Sequence, residues 1–448
     1  MNFRKIDLIT GWVVFAIASL VYLCTMEPTA SFWDCGEFIL SAFKLEVGHP
    51  PGAPLFMMIG RLFTLFAGGN LELVPLMINA FSALCSGFTI LFLYWTITHL
   101  ARKMAGSPEG YSRATMLTVI GSGVVGALAY TFSDTFWFSA VEGEVYAFSS
   151  LFTAVVFWAV LKWEDQADAP HANRWLVLIA YLMGLSIGVH LLNLLAIPAI
   201  GLVYYFRKYA PVTPKGVIRA ILVSAVVLGG ILYIIVPGVL KIAVGFELFF
   251  VNQMGLPFNS GLIVYALLLV AALVFGIRIT YLRGRQMAHT VLVCVSVIIL
   301  GYCSYGAIVI RSAADTPMDQ NDPQNIFNLQ YYLNREQYGD RPLIKGQYYT
   351  APIVSIKEGA PIYIKGAGKY EVVGNKAEYV YDSKFEGIFP RMYSSEADHI
   401  SVYKDWSGGE GTNVRTSNPR TGLNEVIPRP TFGQNLRFFF DYQLGHMY

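Results

Sequence analysis

Long apolar runs alternate with short polar connectors over the first two thirds of the chain. Arg4 and Lys5 precede a run from about Leu8 to Cys24, and further runs cover 74–99, 115–133, 144–163, 175–189, 191–206, 217–236, 261–277 and 288–310. Each holds about 15–26 residues dominated by Leu, Val, Ile, Phe and Ala, the length a helix needs to cross a bilayer. The pattern predicts about nine transmembrane helices. The fifth and sixth runs are short and meet at Gly188-Val189-His190-Leu191-Leu192-Asn193, so that pair is the weakest part of the pattern. Pro54 to Ala67 is also apolar, but its roughly 14 residues include Arg61, which suits a helix lying in the membrane interface. The first run is long for a signal-peptide core and ends in bulky Val21-Tyr22-Leu23-Cys24, so an uncleaved first span is expected.

After Arg311 the pattern changes to one rich in Gly, Tyr, Pro, Asn and Asp, with no spanning run. Ile353 to Lys357 and Ile362 to Lys365 alternate in the manner of strands, and Glu358-Gly359-Ala360-Pro361 between them reads as a hairpin turn. Tyr370 to Val373 and Tyr379 to Tyr381 add strand signals. The expected organisation is a transmembrane domain, 1–310, whose outer loop is 27–73, followed by a small, mostly β or irregular extracytoplasmic segment, 311–448. The last residues, Phe438 to Tyr448, carry no turn or charge run that would terminate a fold, so the chain is expected to be the N-terminal part of a longer polypeptide.

Composition agrees with this pattern. Hydrophobic residues make up 55% of the chain and charged residues 14%, and mean hydropathy is +0.49, as in a polytopic α-helical membrane protein. A net charge of +2 is too small to suggest nucleic acid. Cys24, Cys35, Cys85, Cys294 and Cys303 lie mostly in apolar runs and have neither CxxC nor zinc-type spacing. Positive charge sets the orientation. If 54–67 does not cross, then Arg4, Lys5, Arg102, Lys103, Arg113, Lys162, Arg174, Arg207, Lys208, Lys215, Arg219, Arg278, Arg283 and Arg285 share the cytoplasmic side. The outer loops before residue 311 keep only Lys44, Arg61 and Lys241. The N-terminus is then cytoplasmic and the C-terminal segment lies outside.

This topology gathers Asp34, Glu37, Glu46, His49, Asp134, Glu142, Glu144, His190 and Asn193 at the outer membrane face. A carboxylate beside hydrocarbon loses hydration worth several kcal/mol, so such acids mark functional sites unless a partner or a water-filled cavity explains them. Structural roles compete at each position. Asp34 and Glu37 resemble a capping box, Glu142 and Glu144 can cap the helix beginning near Val145, and His190 and Asn193 can satisfy backbone groups in a tight helix turn. No DxD pair or spaced His/Asp cluster demands a metal, and none is expected.

Trp33-Asp34-Cys35-Gly36-Glu37, His49-Pro50-Pro51-Gly52-Ala53-Pro54, Val141-Glu142-Gly143-Glu144-Val145-Tyr146 and Asn334-Arg335-Glu336-Gln337-Tyr338-Gly339-Asp340-Arg341-Pro342 together resemble the DUF2723 family. That family is common in Bacteroidota and includes the animal transmembrane protein 260, a protein O-mannosyltransferase. The resemblance implies a GT-C glycosyltransferase in the bacterial inner membrane, with its site in the periplasm. Such an enzyme moves mannose or another hexose from a polyprenyl-phosphate carrier to a Ser or Thr hydroxyl of a protein acceptor. The family's outer-loop acid falls on Asp34, and Glu37 is the second acid of the same motif.

Transfer to a hydroxyl needs a base in hydrogen-bond reach, for which Asp34 is expected, with Glu37 orienting the acceptor or taking the base role itself. One direct displacement would invert the anomeric centre through an oxocarbenium-like state. His49, Glu142, Glu144, His190 and Asn193 are the expected substrate contacts, although the prolines around His49 also suit a rigid turn. The departing phosphate needs a cation, and Arg61, Arg311, Arg335 and Arg341 are the outer-side candidates. Arg311 can equally anchor the ninth span at the interface. The rival class is a secondary transporter or lipid flippase, which predicts an inverted repeat and charges near span centres. The acids sit at span ends instead, and the two halves show no convincing repeat.

Overall fold

The structure is a computed structural model describing residues 3–106, 108–339, 341–417 and 423–447. In chain order the first helices are α1 (Phe3–Thr25), the short α2 (Cys35–Lys44) and α3 (Pro54–Thr64), then α4 (Val74–Ala105), α5 (Arg113–Thr131) and α6 (Asp134–Ala140). There follow α7 (Val145–Gln166), α8 (Asn173–Ile187), α9 (Ile197–Lys208), α10 (Pro214–Gly230), α11 (Val236–Leu248), α12 (Ser260–Leu282), α13 (Gln286–Tyr302), α14 (Gly306–Ser312) and α15 (Ile326–Leu333). Eight helical stretches among the described residues are long and apolar enough to cross a membrane. This is a polytopic helical membrane protein, consistent with a GT-C-like plan.

The expected fifth span is the exception, because α8 has only 15 residues, about 22 Å at 1.5 Å per residue. Its ends nevertheless lie in the same two layers as those of α7. Near its start, Trp175 donates to the Gln166 side chain at 3.2 Å. Just past its end, His190 packs on Tyr146 with ring centroids 5.5 Å apart. The turn at Gly188-Val189 supplies the remaining length, and the chain returns through α9. One layer collects the pairs Lys103–Glu164, His99–Asp165 and Lys208–Asp168. The other holds Tyr22 donating to the Thr131 carbonyl, Trp137 donating to Thr25, and the acidic loops. The helical run expected over 217–236 extends from Pro214 to Gln253, so Lys241 lies in a helix and not in a loop. Pro237 follows a π-helical turn, Ile231–Ile235, whose wider bonding accommodates a residue with no N–H.

Two compact units are present, Met1–Glu247 with Asn259–Arg335, and Leu248–Phe258 with Glu336–Tyr448. Residues 311–335, expected to open the extracytoplasmic segment, pack with the first unit because they hydrogen-bond to its outer loop, as described below. Leu248–Phe258 joins the second, where Asn252 exchanges two 2.8 Å hydrogen bonds with the Tyr370 backbone. In that unit β1 (Lys345–Gln347) pairs with β4 (Glu386–Ile388), β2 (Ile353–Lys365) with β3 (Tyr370–Tyr381), and β5 (Thr412–Ser417) with β6 (Asn424–Arg429), all antiparallel. The expected turn at Glu358-Gly359-Ala360-Pro361 is a bulge inside the single strand β2, and the hairpin turns at 366–369. A bulge suits a proline and a glycine because it leaves residues out of the ladder.

Candidate functional site

The outer loop is held by residues that arrive from far along the chain. Leu45, in the left-handed conformation with φ 51°, ends α2, and the Arg311 guanidinium donates to the carbonyls of Leu45 at 2.7 Å and Lys44 at 3.3 Å. Val47 forms a parallel bridge with Asp319. Tyr332, on α15, donates its hydroxyl to the Gly48 carbonyl at 2.6 Å. Two glycines permit these approaches, since a Cβ on Gly48 would lie 2.5 Å from Glu37 Oε1 and one on Gly52, φ +71°, 2.5 Å from the Tyr332 hydroxyl. Asn79, a buried polar residue within α4, donates to the carbonyls of Glu27 and Thr29 and fixes the stretch leading to Asp34.

The capping box suggested for Asp34 and Glu37 does not form. Asp34 occupies the N-cap position of α2 but makes no side-chain capping bond, and its side chain is 58% exposed. Glu37 turns instead to His49, whose backbone N–H and Nδ1 lie 2.6 Å and 2.9 Å from Glu37 Oε1. Gln320 donates to the other oxygen, Oε2, at 3.4 Å. Burial alone would push the Glu37 carboxyl up, but these bonds and the imidazole charge hold it below the usual range. The same pairing holds the His49 imidazole above its ordinary value, with Asp34 adding to it and both burial and Arg335 opposing. His49 Nε2 faces Asp34 Oδ2 at 4.0 Å.

A second group of acids closes around this dyad. Glu142 is buried and accepts from the Cys35 thiol at 3.5 Å, and burial pushes its carboxyl up. Glu144 caps α7 through the Val145 N–H. Burial, with the charges of Asp34 and Glu142, pushes its carboxyl up to about 7. His190 Nδ1 accepts the Leu192 N–H at 3.1 Å, and burial and Arg335 push its imidazole down, so a neutral ring presents Nε2–H as a donor. The structural roles read for Glu144 and His190 are therefore realised, yet both remain within electrostatic reach of the dyad or its cation. Asn193 is buried and donates to Ser186.

Arg335 is the arginine whose charge acts on His49, Tyr146 and His190. Arg61 donates instead to the Phe43 carbonyl and to Thr64, and Arg311 is committed to the end of α2. Arg341 belongs to the second unit, and Asp340 lies outside the described residues. Asp134 opens α6 and borders a separate cavity of about 370 Å³ together with Ser133, Thr135, Ser139 and Ser150. Glu46 is buried, with Oε2 unpartnered. Among the described residues, no group of three or more His, Cys, Asp or Glu is arranged to hold a metal ion. Sequence reasoning missed Tyr332, Gln320 and Asn79, and of these only Asn79, a polar residue within an apolar run, carried a signal.

Glu144 makes the stability of this unit depend on pH. The unfolded chain releases its proton near 4.5 and the folded chain near 7, so stability is highest below the first value and falls as pH rises to the second, by at most about 3 kcal/mol. Glu144→Gln is expected to remove that fall. Denaturant midpoints in detergent at about pH 5 and pH 8 check it, and an equal fall in the variant would refute it.

Residues 34–213 match the family described as the protein O-mannosyl-transferase TMEM260 N-terminal domain, and residues 339–440 match a family of unknown function, DUF8416. Protein O-mannosyl-transferase TMEM260 of Mus musculus is 27% identical over 39% of this chain and 22% of its own length. The Dictyostelium discoideum protein O-mannosyl-transferase tmem260 is 25% identical over 40% of this chain and 21% of its own. The matched part of the chain thus spans about a fifth of the length of these curated relatives. No solved structure matches. These matches relate the chain to the TMEM260-like family, in keeping with the DUF2723 resemblance of its motifs.

Proposed function

We propose, taking that relation as the premise, that the chain is a GT-C-like glycosyltransferase that moves a hexose, mannose in the first instance, from a polyprenyl-phosphate carrier to a Ser or Thr hydroxyl of a protein. The relatives' printed activity supplies the reaction class. The observation that carries the assignment of roles is Asp34, an exposed carboxylate that makes no capping bond and whose charge acts on His49 and the buried Glu144. A base must be solvent-accessible to reach an incoming hydroxyl, and Asp34 meets that condition.

In this scheme Asp34 takes the hydroxyl proton as the acceptor oxygen attacks C1 and the C1–O bond to phosphate breaks, inverting the centre. Glu37 holds His49 beside it. Arg335 balances the charge that grows on the departing phosphate, while Glu142, Glu144, His190 and Asn193 bind sugar or acceptor hydroxyls. The acidic layer faces the periplasm of a bacterial inner membrane and the basic layer the cytoplasm, in accordance with the charge bias.

The test is transfer by the purified chain in detergent, with radiolabelled polyprenyl-phosphate mannose and a mixed protein acceptor. Label in protein is the expected result. No transfer with any common hexose donor, together with solute or lipid movement in liposomes, would replace this function with transport.

A further inference from the structure

We propose that His49 is a proton relay for Asp34 and that Glu37 is its positioning residue, acting on the reaction only through the imidazole. This deepens the transferase reading and rests on it. Glu37 is not placed to serve as a base. Its Oε1 already accepts from the His49 backbone N–H and Nδ1, its Oε2 accepts from Gln320, and Gly48 presses against the carboxylate so closely that a Cβ would collide with it. A carboxylate held on Nδ1 selects the tautomer with Nδ1–H and leaves the Nε2 lone pair free, the arrangement in which an imidazole receives protons. That Nε2 faces Asp34 Oδ2 at 4.0 Å, a gap that a small side-chain movement on substrate binding closes.

The tertiary structure fixes the ring in this position from several directions. Phe38 lies edge-on to it with centroids 5.5 Å apart. Tyr332 holds the Gly48 and His49 carbonyls at 2.6 Å and 3.3 Å. The charged and titratable groups that act on the imidazole are Glu37 from α2, Asp34 before it, Glu144 at the start of α7, and Arg335 after α15.

The step balances as follows. The acceptor O–H bond breaks and its proton moves to Asp34 Oδ2, while the oxygen forms the new bond to C1. The C1–O bond to phosphate breaks and its electron pair leaves with the phosphate. The proton then passes from Asp34 to His49 Nε2, which restores the Asp34 carboxylate, and finally to solvent. A relay of this kind works only from the neutral imidazole, so turnover has an acidic limb that reports His49. Because Glu37 stabilises the protonated ring, that limb lies above pH 6.5, and removing the carboxylate moves it to lower pH.

Two measurements test this on the purified chain in detergent. The first is NMR of 15N-labelled imidazole, which follows His49 without any turnover. Its midpoint is expected above 6.5 in wild type and lower in Glu37→Gln, and an unchanged midpoint in that variant overturns the dyad. The second is kcat against pH with polyprenyl-phosphate mannose. Glu37→Gln is expected to shift the acidic limb in the same direction as the NMR midpoint. His49→Gln is expected to lose the limb and about 10²-fold in kcat, with donor KM within about twofold of wild type and partial rescue by added imidazole. Full kcat in His49→Gln, or a limb that does not move in Glu37→Gln, overturns the relay. If wild type transfers no sugar while the NMR midpoints shift as expected, the transferase reading fails and the dyad stands.

Discussion

Asp34→Asn is expected to lower kcat for sugar transfer by about 10²- to 10⁴-fold, the usual range for removal of a general base, with no change in thermal midpoint. The separation of the two effects follows from the structure. The Asp34 side chain is 58% exposed and makes no capping bond, so the amide removes a negative charge without removing a structural contact. Steady-state transfer with polyprenyl-phosphate mannose, measured beside a melting curve in detergent, checks both parts. Wild-type kcat in the variant would remove Asp34 from the chemistry. A lower midpoint would instead assign it to the fold. The neighbouring acids do not allow so clean a test. Glu37 secures His49, Glu142 accepts the Cys35 thiol and Glu144 caps α7, so their variants mix activity with local structure.

The largest stability effect is expected at Gly301, in α13. A Cβ there would lie 2.4 Å from the Gly184 carbonyl carbon and 2.4 Å from the Leu185 nitrogen, and a Cβ on Gly184 would lie 2.5 Å from the Ile298 oxygen. These neighbours are backbone atoms of the facing helix, which cannot rotate away, and small residues are what allow two helices in a membrane to come this close. Gly301→Val is therefore expected to cost at least about 1–3 kcal/mol and to lower the thermal midpoint in detergent. Activity should fall with it. Helix α8 delivers Gly188, whose carbonyl accepts the Leu55 N–H at 2.9 Å, and then His190 and Asn193, so a displaced α8 moves one wall of the site. Because Gly184 and Gly301 meet the same surface, adding Gly184→Val to Gly301→Val should cost less than the sum of the two. A midpoint unchanged in Gly301→Val would refute the close crossing.

Much of this arrangement was legible in local sequence, for reasons that are themselves local. Apolar runs of crossing length favour burial in a bilayer, so eight of the nine expected spans were readable, most with their ends in error by a few residues. Charge bias then sorted the loops into two sides. Lys103, Lys208 and their acidic partners Glu164 and Asp168 do collect in one layer, whereas Lys241, sorted to an outer loop, lies within α11. The runs 175–189 and 217–236 were harder to bound. Helix α8 uses a turn to complete its passage, and α10 continues through a π-helical turn past a proline, choices that depend on the surrounding helices and not on hydropathy. The β2 bulge was mistaken for a turn because Gly359 and Pro361 serve both.

The candidate site divides in the same way. Sequence by itself gathered Asp34, Glu37, His49, Glu142, Glu144 and His190 at the ends of expected spans on one side, since carboxylates avoid hydrocarbon. It did not determine which of these groups are bonded to one another. That Glu37 pairs with His49 and does not cap α2, that Arg335 reaches the site while Arg61 and Arg311 secure α2, and that Tyr332 and Gln320 belong to the site at all were decided by the tertiary structure. These contacts join residues up to 284 positions apart, and a hydrogen bond of about 3 Å between distant side chains leaves no periodicity or spacing in the sequence.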